Sequence, residues 1–380
     1  MTVQEPLKVA REIALNPYDW VQDWKNQNRR KVVGTFGMYV PHELIHAAGI
    51  QPIILPVSDQ PISSQVDADM PSPPYCAFAR GLLAHAIQGE LNFLDGLAMH
   101  ECCTTACALI ELIPRRACQI SWFQPLWFPV PLHGRRTRQW LLNELEGFKH
   151  TLEQLSGEKI TEARLRSSIG LYNYNRTLMN ALYDLRRSRP GIISACEMHD
   201  VLLCGMVMPK EEHNLVLERL LCLLEKRASH SDRARLIMSG SLCTQPWRSI
   251  MEVIDDSNIA VMDDDLYVGS RYYVTRVSET GDPLEALAES YQRMIAPCPT
   301  RWNPDNDWGD YVVRMTLSAG ADALVSLIVR NCEPHEIAWP RIQQALAAAE
   351  VPQTSLQIEP QMPTAQARTI LDALAERVCV

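Results

Sequence analysis

The sequence predicts an α/β protein of two similar lobes, each a parallel sheet wrapped by helices, with a layer of long helices between them. Three observations predict it. Short apolar, β-branched runs alternate with helical patterns from Lys31 onward, which marks a parallel sheet covered by helices. Between about Arg135 and Lys226 the alternation gives way to apolar residues recurring at steps of three and four. After Ser231 the alternation returns. The expected units are an N-terminal helical segment (1–30), a first α/β lobe (31–134), a helical connecting layer (135–231) and a second α/β lobe (232–380).

In the first lobe, Lys31–Phe36 reads as a strand, Pro41–Ala48 as a helix ended by Gly49, and Pro52–Leu55 as a strand. Phe78–Gln88 is a helix ended by Gly89, and Leu94–Met99 and Ile120–Trp127 are further strands. In the connecting layer, Leu141, Leu145, Phe148, Leu152 and Leu155 form one helical stripe that Gly157 stops. Leu165, Ile169, Tyr172, Met179 and Leu182 form a second, broken at Arg189-Pro190-Gly191. Pro209-Lys210-Glu211-Glu212 starts a third helix, with proline early and acids where the dipole favours them. In the second lobe the strands are Leu236–Ser239, Ile259–Met262, Ala323–Ile328 and Thr354–Ile358. The helices between them fall near Trp247–Val253, Pro283–Met294, Ile337–Ala349 and Thr364–Val378. In such a fold a ligand lies in the cleft facing the carboxyl ends of the strands.

Composition narrows the function. The chain has 380 residues, 47% apolar and 21% charged, close to the averages of about 45–50% and 25% for soluble globular proteins. Disorder and fibrous repeats are excluded. With 36 basic against 45 acidic residues the net charge is −9, which repels a phosphate backbone, so no nucleic-acid partner is expected. No apolar run approaches ~18 residues, so no membrane span is expected. The opening text MTVQEPLKVAREIALNPYDW holds no apolar core before a small-residue cleavage site, and a cytoplasmic location follows. Twelve cysteines in that compartment argue against structural disulfides and point to metal ligation.

Three cysteine positions fall where a strand gives way to its following helix or at the start of that helix: Cys76 opens the helix after Pro73-Pro74-Tyr75, Cys102-Cys103 follow the strand ending at Met99, and Cys332 follows the strand ending near Ile328. Helix N-termini carry partial positive charge and unpaired N–H groups, which stabilise thiolates and the sulfides of a cluster. The spacing matches no short ferredoxin or zinc pattern, and the plain alternative for each is a small buried hydrophobe. Cys243, just past a strand, is a further cleft-lining candidate.

His42-Glu43-Leu44-Ile45-His46 fits the zinc-protease pattern, but its helix is short and no downstream helix offers a third ligand. His100 and His335 lie near the same cleft as candidates for handling protons. Asp263-Asp264-Asp265 reads as the end of a strand, capping a helix, solvating a turn or holding a divalent ion. Arg135-Arg136-Thr137-Arg138 reads as a solvated helix start, with anion binding as the alternative. No glycine-rich nucleotide loop of either common type occurs, so this chain is expected to bind no nucleotide.

Several blocks in order resemble one family. They are VGTFGMYVPHELIHAAG (33–49), LNFLDGL (91–97), LYNYNR (171–176), MPKEE (208–212), GSRY (269–272) and GDPL (281–284). They are similar to signatures of the 2-hydroxyacyl-CoA dehydratase and benzoyl-CoA reductase superfamily, from about residue 15 to the C-terminus. The resemblance implies two Rossmann-like (flavodoxin-like) lobes and an oxygen-sensitive 4Fe-4S cluster held by Cys76, Cys103 and Cys332. Counting from Asp95-Gly96-Leu97 prefers Cys103 to Cys102. Three thiolates leave one iron of a cubane for water, substrate or a sulfide shared with a second cubane.

Ser239–Pro246 and the aspartate triplet are similar to the smaller catalytic subunit of ATP-dependent benzoyl-CoA reductase. Tyr267 stands near where dehydratases usually have a cysteine, and Ala365-Gln366 replaces the usual Gly-Gln. The resemblance therefore implies dearomatisation of an aryl-CoA by low-potential electrons. The alternative is a 2-hydroxyacyl-CoA dehydratase subunit, making enoyl-CoA by radical dehydration. The implied partners are a homologous larger catalytic subunit, an ATP-hydrolysing iron-sulfur activator and ferredoxin as electron donor. Glu43 and His46 are the candidate catalytic residues, as proton donors or as groups that orient the cluster's open ligand. A supporting role is favoured, because the larger subunit is expected to hold the substrate. A two-lobed binding protein is a third reading, which the cysteine positions oppose.

Overall fold

The computed structural model describes residues 4–37, 39–57, 63–71, 74–116, 119–229, 233–240, 247–360 and 362–378. Two helices, α1 (Gln4–Leu15) and α2 (Pro17–Asn28), precede the first lobe. That lobe comprises β1 (Val32–Phe36), α3 (His42–Ala47), β2 (Gln51–Ile54), α4 (Ser64–Asp69), α5 (Ala77–Ile87), β3 (Gly96–His100), α6 (Thr104–Arg116) and β4 (Phe123–Leu126). The middle of the chain is helical: α7 (Arg135–Ser156), α8 (Glu162–Ser188), α9 (Ala195–Val207) and α10 (Lys210–Leu224). The second lobe begins with β5 (Ala234–Gly240), α11 (Arg248–Asp256) and β6 (Ile259–Leu266). A π-type turn (Tyr267–Arg271), α12 (Tyr272–Val274), α13 (Pro283–Gln292) and α14 (Trp308–Ser318) follow. It closes with β7 (Ala323–Val329), α15 (Glu333–Ala348), β8 (Gln353–Ile358) and α16 (Thr364–Val378).

The two sheets are all-parallel, and their strand orders are the same: β2-β1-β3-β4 and β6-β5-β7-β8. This is the 2-1-3-4 start of the flavodoxin-like order, with the switch point between the first and third strands of each sheet. Both β1 and β3 are buried along their whole length, which is why they read as continuous apolar runs rather than alternating ones. The helices of the middle layer pack by the stripes read above, and Leu141, Leu145, Phe148, Leu152, Leu165, Ile169, Met179 and Leu182 are all buried. Among the described residues no helix is long and apolar enough to cross a membrane.

Where the elements differ from expectation, the reason is local. Strand β6 does not stop at Met262 but runs through all three aspartates to Leu266, because each carboxylate finds a partner. Asp263 pairs with Arg187. Asp264 accepts from the Tyr183 hydroxyl at 2.8 Å and lies 3.4 Å from Arg186, and Asp265 accepts from Ser239 and from the Trp308 indole at 3.0 and 2.6 Å. The triplet is a buried ion-pair network that ties α8 to the sheet, and it neither caps a helix nor solvates a turn. Helix α15 starts at Glu333, earlier than Ile337, with Cys332 as its N-cap and Glu333 and Glu336 in the first turn. Helices α6 and α14 carry no element in the sequence reading. The basic run at Arg135 is a helix start as expected, with Arg138 paired to Glu285 on α13 at 2.9 Å.

Candidate functional site

Three helix N-termini converge at the carboxyl ends of the two sheets. Cys76 is the N-cap of α5, Cys103 immediately precedes α6, and Cys332 is the N-cap of α15. All three, together with Cys102, line one cavity whose walls include Phe36, Phe78 and Val329. Its empty space is about 430 Å³, counting the part open to solvent. The two lobes are pinned beside it by the Thr104 hydroxyl, which donates to Glu333 Oε2 at 2.9 Å.

The thiols act on one another electrostatically. Burial pushes the Cys76 thiol up to about 11, and the neighbouring Cys103 pushes the same way. Burial also raises Cys332, with Cys76 and Cys103 adding to it. Cys103 is raised by its contact with the Cys102 thiol and then by burial. First-turn amides oppose these shifts: Phe78 and Ala79 at Cys76, Thr105 and Ala106 at Cys103, and His335 at Cys332. These amides belong to the positive ends of α5, α6 and α15, which carry the cysteines at the cavity wall. Among the described residues no three His, Cys, Asp or Glu side chains come together tightly enough to share a single metal ion. Separate thiols around an apolar cavity, each facing a positive helix end, suit an anionic cluster that offers several metal atoms.

Gly37 lies in the chain between Phe36, which lines this cavity, and Tyr39, which lines a second one. Its φ is +86°, and a Cβ there would fall 2.9 Å from the His100 carbonyl oxygen and 3.4 Å from Cys102 Sγ, so only glycine fits. The Tyr267 hydroxyl donates to the Gly37 carbonyl at 3.2 Å. Just beyond the turn, Tyr39 and Val40 enter a pocket of about 700 Å³ of empty space, its open mouth included. The apolar wall is Tyr39, Tyr267, Tyr272, Leu287, Tyr291 and Met294; the polar groups include His42, Glu43, Arg176 and Arg271.

Glu43 reaches the pocket because α3 starts directly after the turn, and its carboxylate meets Arg176 at 2.6 Å. Burial favours the protonated acid, but the charge and hydrogen bond of Arg176 outweigh it and hold the group below its usual range. Glu43 is therefore an anion at neutral pH with no proton to give. His42 takes the neighbouring place, with Nε2 2.9 Å from Thr35 Oγ1 and Nδ1 2.6 Å from the Tyr272 hydroxyl. Thr35 spends its one proton on the Ile53 carbonyl, so His42 Nε2–H donates to Thr35 and Nδ1 accepts from Tyr272. Burial lowers His42 to about 3, which keeps it neutral.

The remaining candidates fall as follows. His46, expected beside Glu43 in the cleft, turns the other way: its ring nitrogens meet Ser168 at 2.7 Å and Glu211 at 3.0 Å, between α3 and the helical layer. The two histidines of the zinc-like pattern thus serve different neighbours, and the ring that lines the pocket is that of His42. His100 is fully buried, 2.8 Å from Arg301, and burial with that guanidinium holds its pKa well below the ordinary value. His335 is buried with Trp308 alongside, and burial lowers it to about 3. Neither is placed to exchange protons near neutrality. Cys243 lies outside the described residues. Sequence reasoning passed over Arg176, Arg271 and Tyr272 as site residues. The signal was available, since all three stand in the blocks LYNYNR and GSRY that carry the resemblance.

The family model described as 2-hydroxyglutaryl-CoA dehydratase, D-component, matches residues 37–378. The chain belongs to this family. Among its relatives is the (R)-phenyllactyl-CoA dehydratase beta subunit of Clostridium sporogenes, 26% identical over 369 residues covering 96% of both chains. A benzoyl-CoA reductase subunit of Thauera aromatica is 28% identical over 340 residues, 88% of this chain and 87% of the relative. The beta subunit of (R)-2-hydroxyglutaryl-CoA dehydratase from Acidaminococcus fermentans is 25% identical over 389 residues, 99% of this chain and all of the relative. Family membership thus agrees with the resemblance read in the sequence. It makes the chain similar to subunits of acyl-CoA dehydratases and of a benzoyl-CoA reductase.

Proposed function

We propose that the chain is the smaller, cluster-bearing subunit of an ATP-dependent aryl-CoA reductase, working beside a homologous larger subunit and an ATP-hydrolysing activator fed by ferredoxin. The observation that carries the reading is the convergence of Cys76, Cys103 and Cys332 at three helix N-termini around one cavity. These thiols would hold a 4Fe-4S cluster, which when bound supplies one-electron transfer at low potential. The chain's own residues supply the surroundings. Phe36, Phe78 and Val329 exclude water, and the first-turn amides of α5, α6 and α15 favour negative charge on the thiolates and sulfides. His46 and Glu211 lock α3 to the helical layer, fixing the turn that leads from cluster cavity to pocket.

A dehydratase subunit is the second reading, favoured by the end-to-end match to the phenyllactyl-CoA enzyme's beta subunit. Assay of the reconstituted complex under ATP and a strong reductant separates the two. Loss of aromatic absorbance from benzoyl-CoA supports the reductase. Turnover of a 2-hydroxyacyl-CoA with catalytic rather than stoichiometric electron use moves the chain to the dehydratase branch.

A further inference from the structure

The pocket behind Gly37 is balanced in charge to an unusual degree for a cavity lined by two arginines. Arg176 is matched by Glu43 at 2.6 Å, and Arg271 by Asp265, whose Oδ1 lies 2.7 Å from its Nε. His42 is neutral, as derived above. The pocket therefore carries no net charge, and four tyrosine rings line it with Leu287 and Met294.

Most of its hydroxyls are committed to the protein. The hydroxyls of Tyr272, Tyr291, Tyr267 and Ser290 all spend their protons on protein acceptors: His42 Nδ1, the Tyr39 carbonyl, the Gly37 carbonyl and the Leu287 carbonyl. Arg176 Nε, Arg271 Nη2 and the Tyr39 hydroxyl are buried and meet no oxygen or nitrogen acceptor among the described residues. A buried donor without an acceptor is costly. A ligand oxygen that reached them would relieve that cost, and a thioester carbonyl is such an acceptor without bringing a charge.

We infer that this chain holds an acyl group of its own in this pocket, an uncharged ring-bearing acyl thioester, and that Glu43 sets the preference by cancelling Arg176. The inference builds on the acyl-CoA chemistry of the proposed function but adds a ligand site to a subunit whose partner is expected to hold the substrate. An acyl group with a second carboxylate would bring an unpaired charge into a site that has no free cation among the described residues, and it is rejected for that reason. Freeing Arg176 by Glu43→Gln gives the pocket the cation such an acyl group needs.

The test is equilibrium dialysis of the full-length chain against benzoyl-CoA and glutaryl-CoA, which share the same CoA portion. Wild type is expected to bind benzoyl-CoA at least tenfold more tightly than glutaryl-CoA. E43Q is expected to shrink that ratio at least tenfold, and E43Q with Arg176→Met, which removes both charges, to restore it. Equal wild-type affinities, no binding of either ester, or an E43Q ratio that stays at the wild-type value overturns the inference. Should E43Q not fold, the wild-type ratio and the uncharged double variant decide. Iron content is read on the same samples: loss of the cluster assignment with the ratio intact refutes the proposed function and leaves this site standing, and the converse result does the opposite.

Discussion

Cys103 and Cys332 hold the same place in the two lobes. Each follows the third strand of its sheet in chain order, β3 or β7, and each directly precedes a helix, α6 or α15. The residues next to them, Thr104 and Glu333, hydrogen-bond across the cleft at 2.9 Å. Cys76 completes the set from the N-terminus of α5. Two lobes of the same strand order thus bring equivalent helix ends to one cavity, which Cys76, Cys103 and Cys332 line together.

Single Ser substitutions at Cys76, Cys103 and Cys332 are expected to reduce the iron of anaerobically purified protein to background. Cys102→Ser keeps it, because Cys102 lines the cavity from the turn rather than from a helix N-cap. Iron and sulfide assays on the four variants check this, and a Cys102 variant that alone loses iron would shift the ligand by one residue.

Gly37→Ala is expected to cost about 1–3 kcal/mol of stability from the positive φ alone, and more if the new methyl pushes on the His100 carbonyl. Because that methyl also presses toward Cys102, the variant should lose iron faster in the presence of a chelator. Denaturant midpoints and iron-release rates read the two effects separately.

The Arg186–Asp264 pair is almost wholly buried, with side chains 1% and 0% exposed. Arg186→Met leaves the buried aspartate with neutral donors alone, such as Tyr183 and the backbone of Ser270, and is expected to cost about 3–5 kcal/mol. Adding Asp264→Asn should recover part of the loss, because an amide is cheaper to bury than a lone carboxylate. Urea unfolding of the single and double variants measures it, and a single variant within ~1 kcal/mol of wild type would refute the network's structural role.

Lys210 sits against the rings of Tyr172, Tyr272 and Tyr273 and donates to the Gly205 carbonyl at 2.7 Å. Burial lowers it to about 7, with Arg176 adding to the shift. Between pH 7 and the ~10.4 of an unfolded lysine, the unfolded chain binds a proton that the folded chain does not, so stability rises with pH across that window. Lys210→Met removes the effect. The stability gap in favour of the variant is expected to be largest at and below pH 7 and to narrow toward pH 9.5; a constant gap rules it out.

The sequence revealed the lobes because β1 and β3 are buried along their whole length, and β5 and β7 at all but one residue each, and so read as apolar runs bounded by glycine, proline or polar turns. It hid the end of β6, where Asp263–Asp265 look like a turn until Arg187, Tyr183, Arg186 and Trp308 arrive from elsewhere in the chain. The cysteines were legible because each directly precedes a helix, Cys103 and Cys332 at strand-to-helix junctions and Cys76 at the start of α5. The pocket was not, because no local pattern joins His42 to Tyr272, 230 residues away, or Glu43 to Arg176, 133 residues away. The choice between His42 and His46 turned on the same point. Both stand on one short helix, and only the partners Ser168 and Glu211 show that His46 faces the helical layer.

The cluster assignment stands or falls on the iron, acid-labile sulfide and zinc content of the chain purified without oxygen. Iron and sulfide are expected in equal amounts, about four of each per chain as a cubane requires, with no stoichiometric zinc. Zinc bound without sulfide, or iron that survives serine at all three of Cys76, Cys103 and Cys332, would refute it.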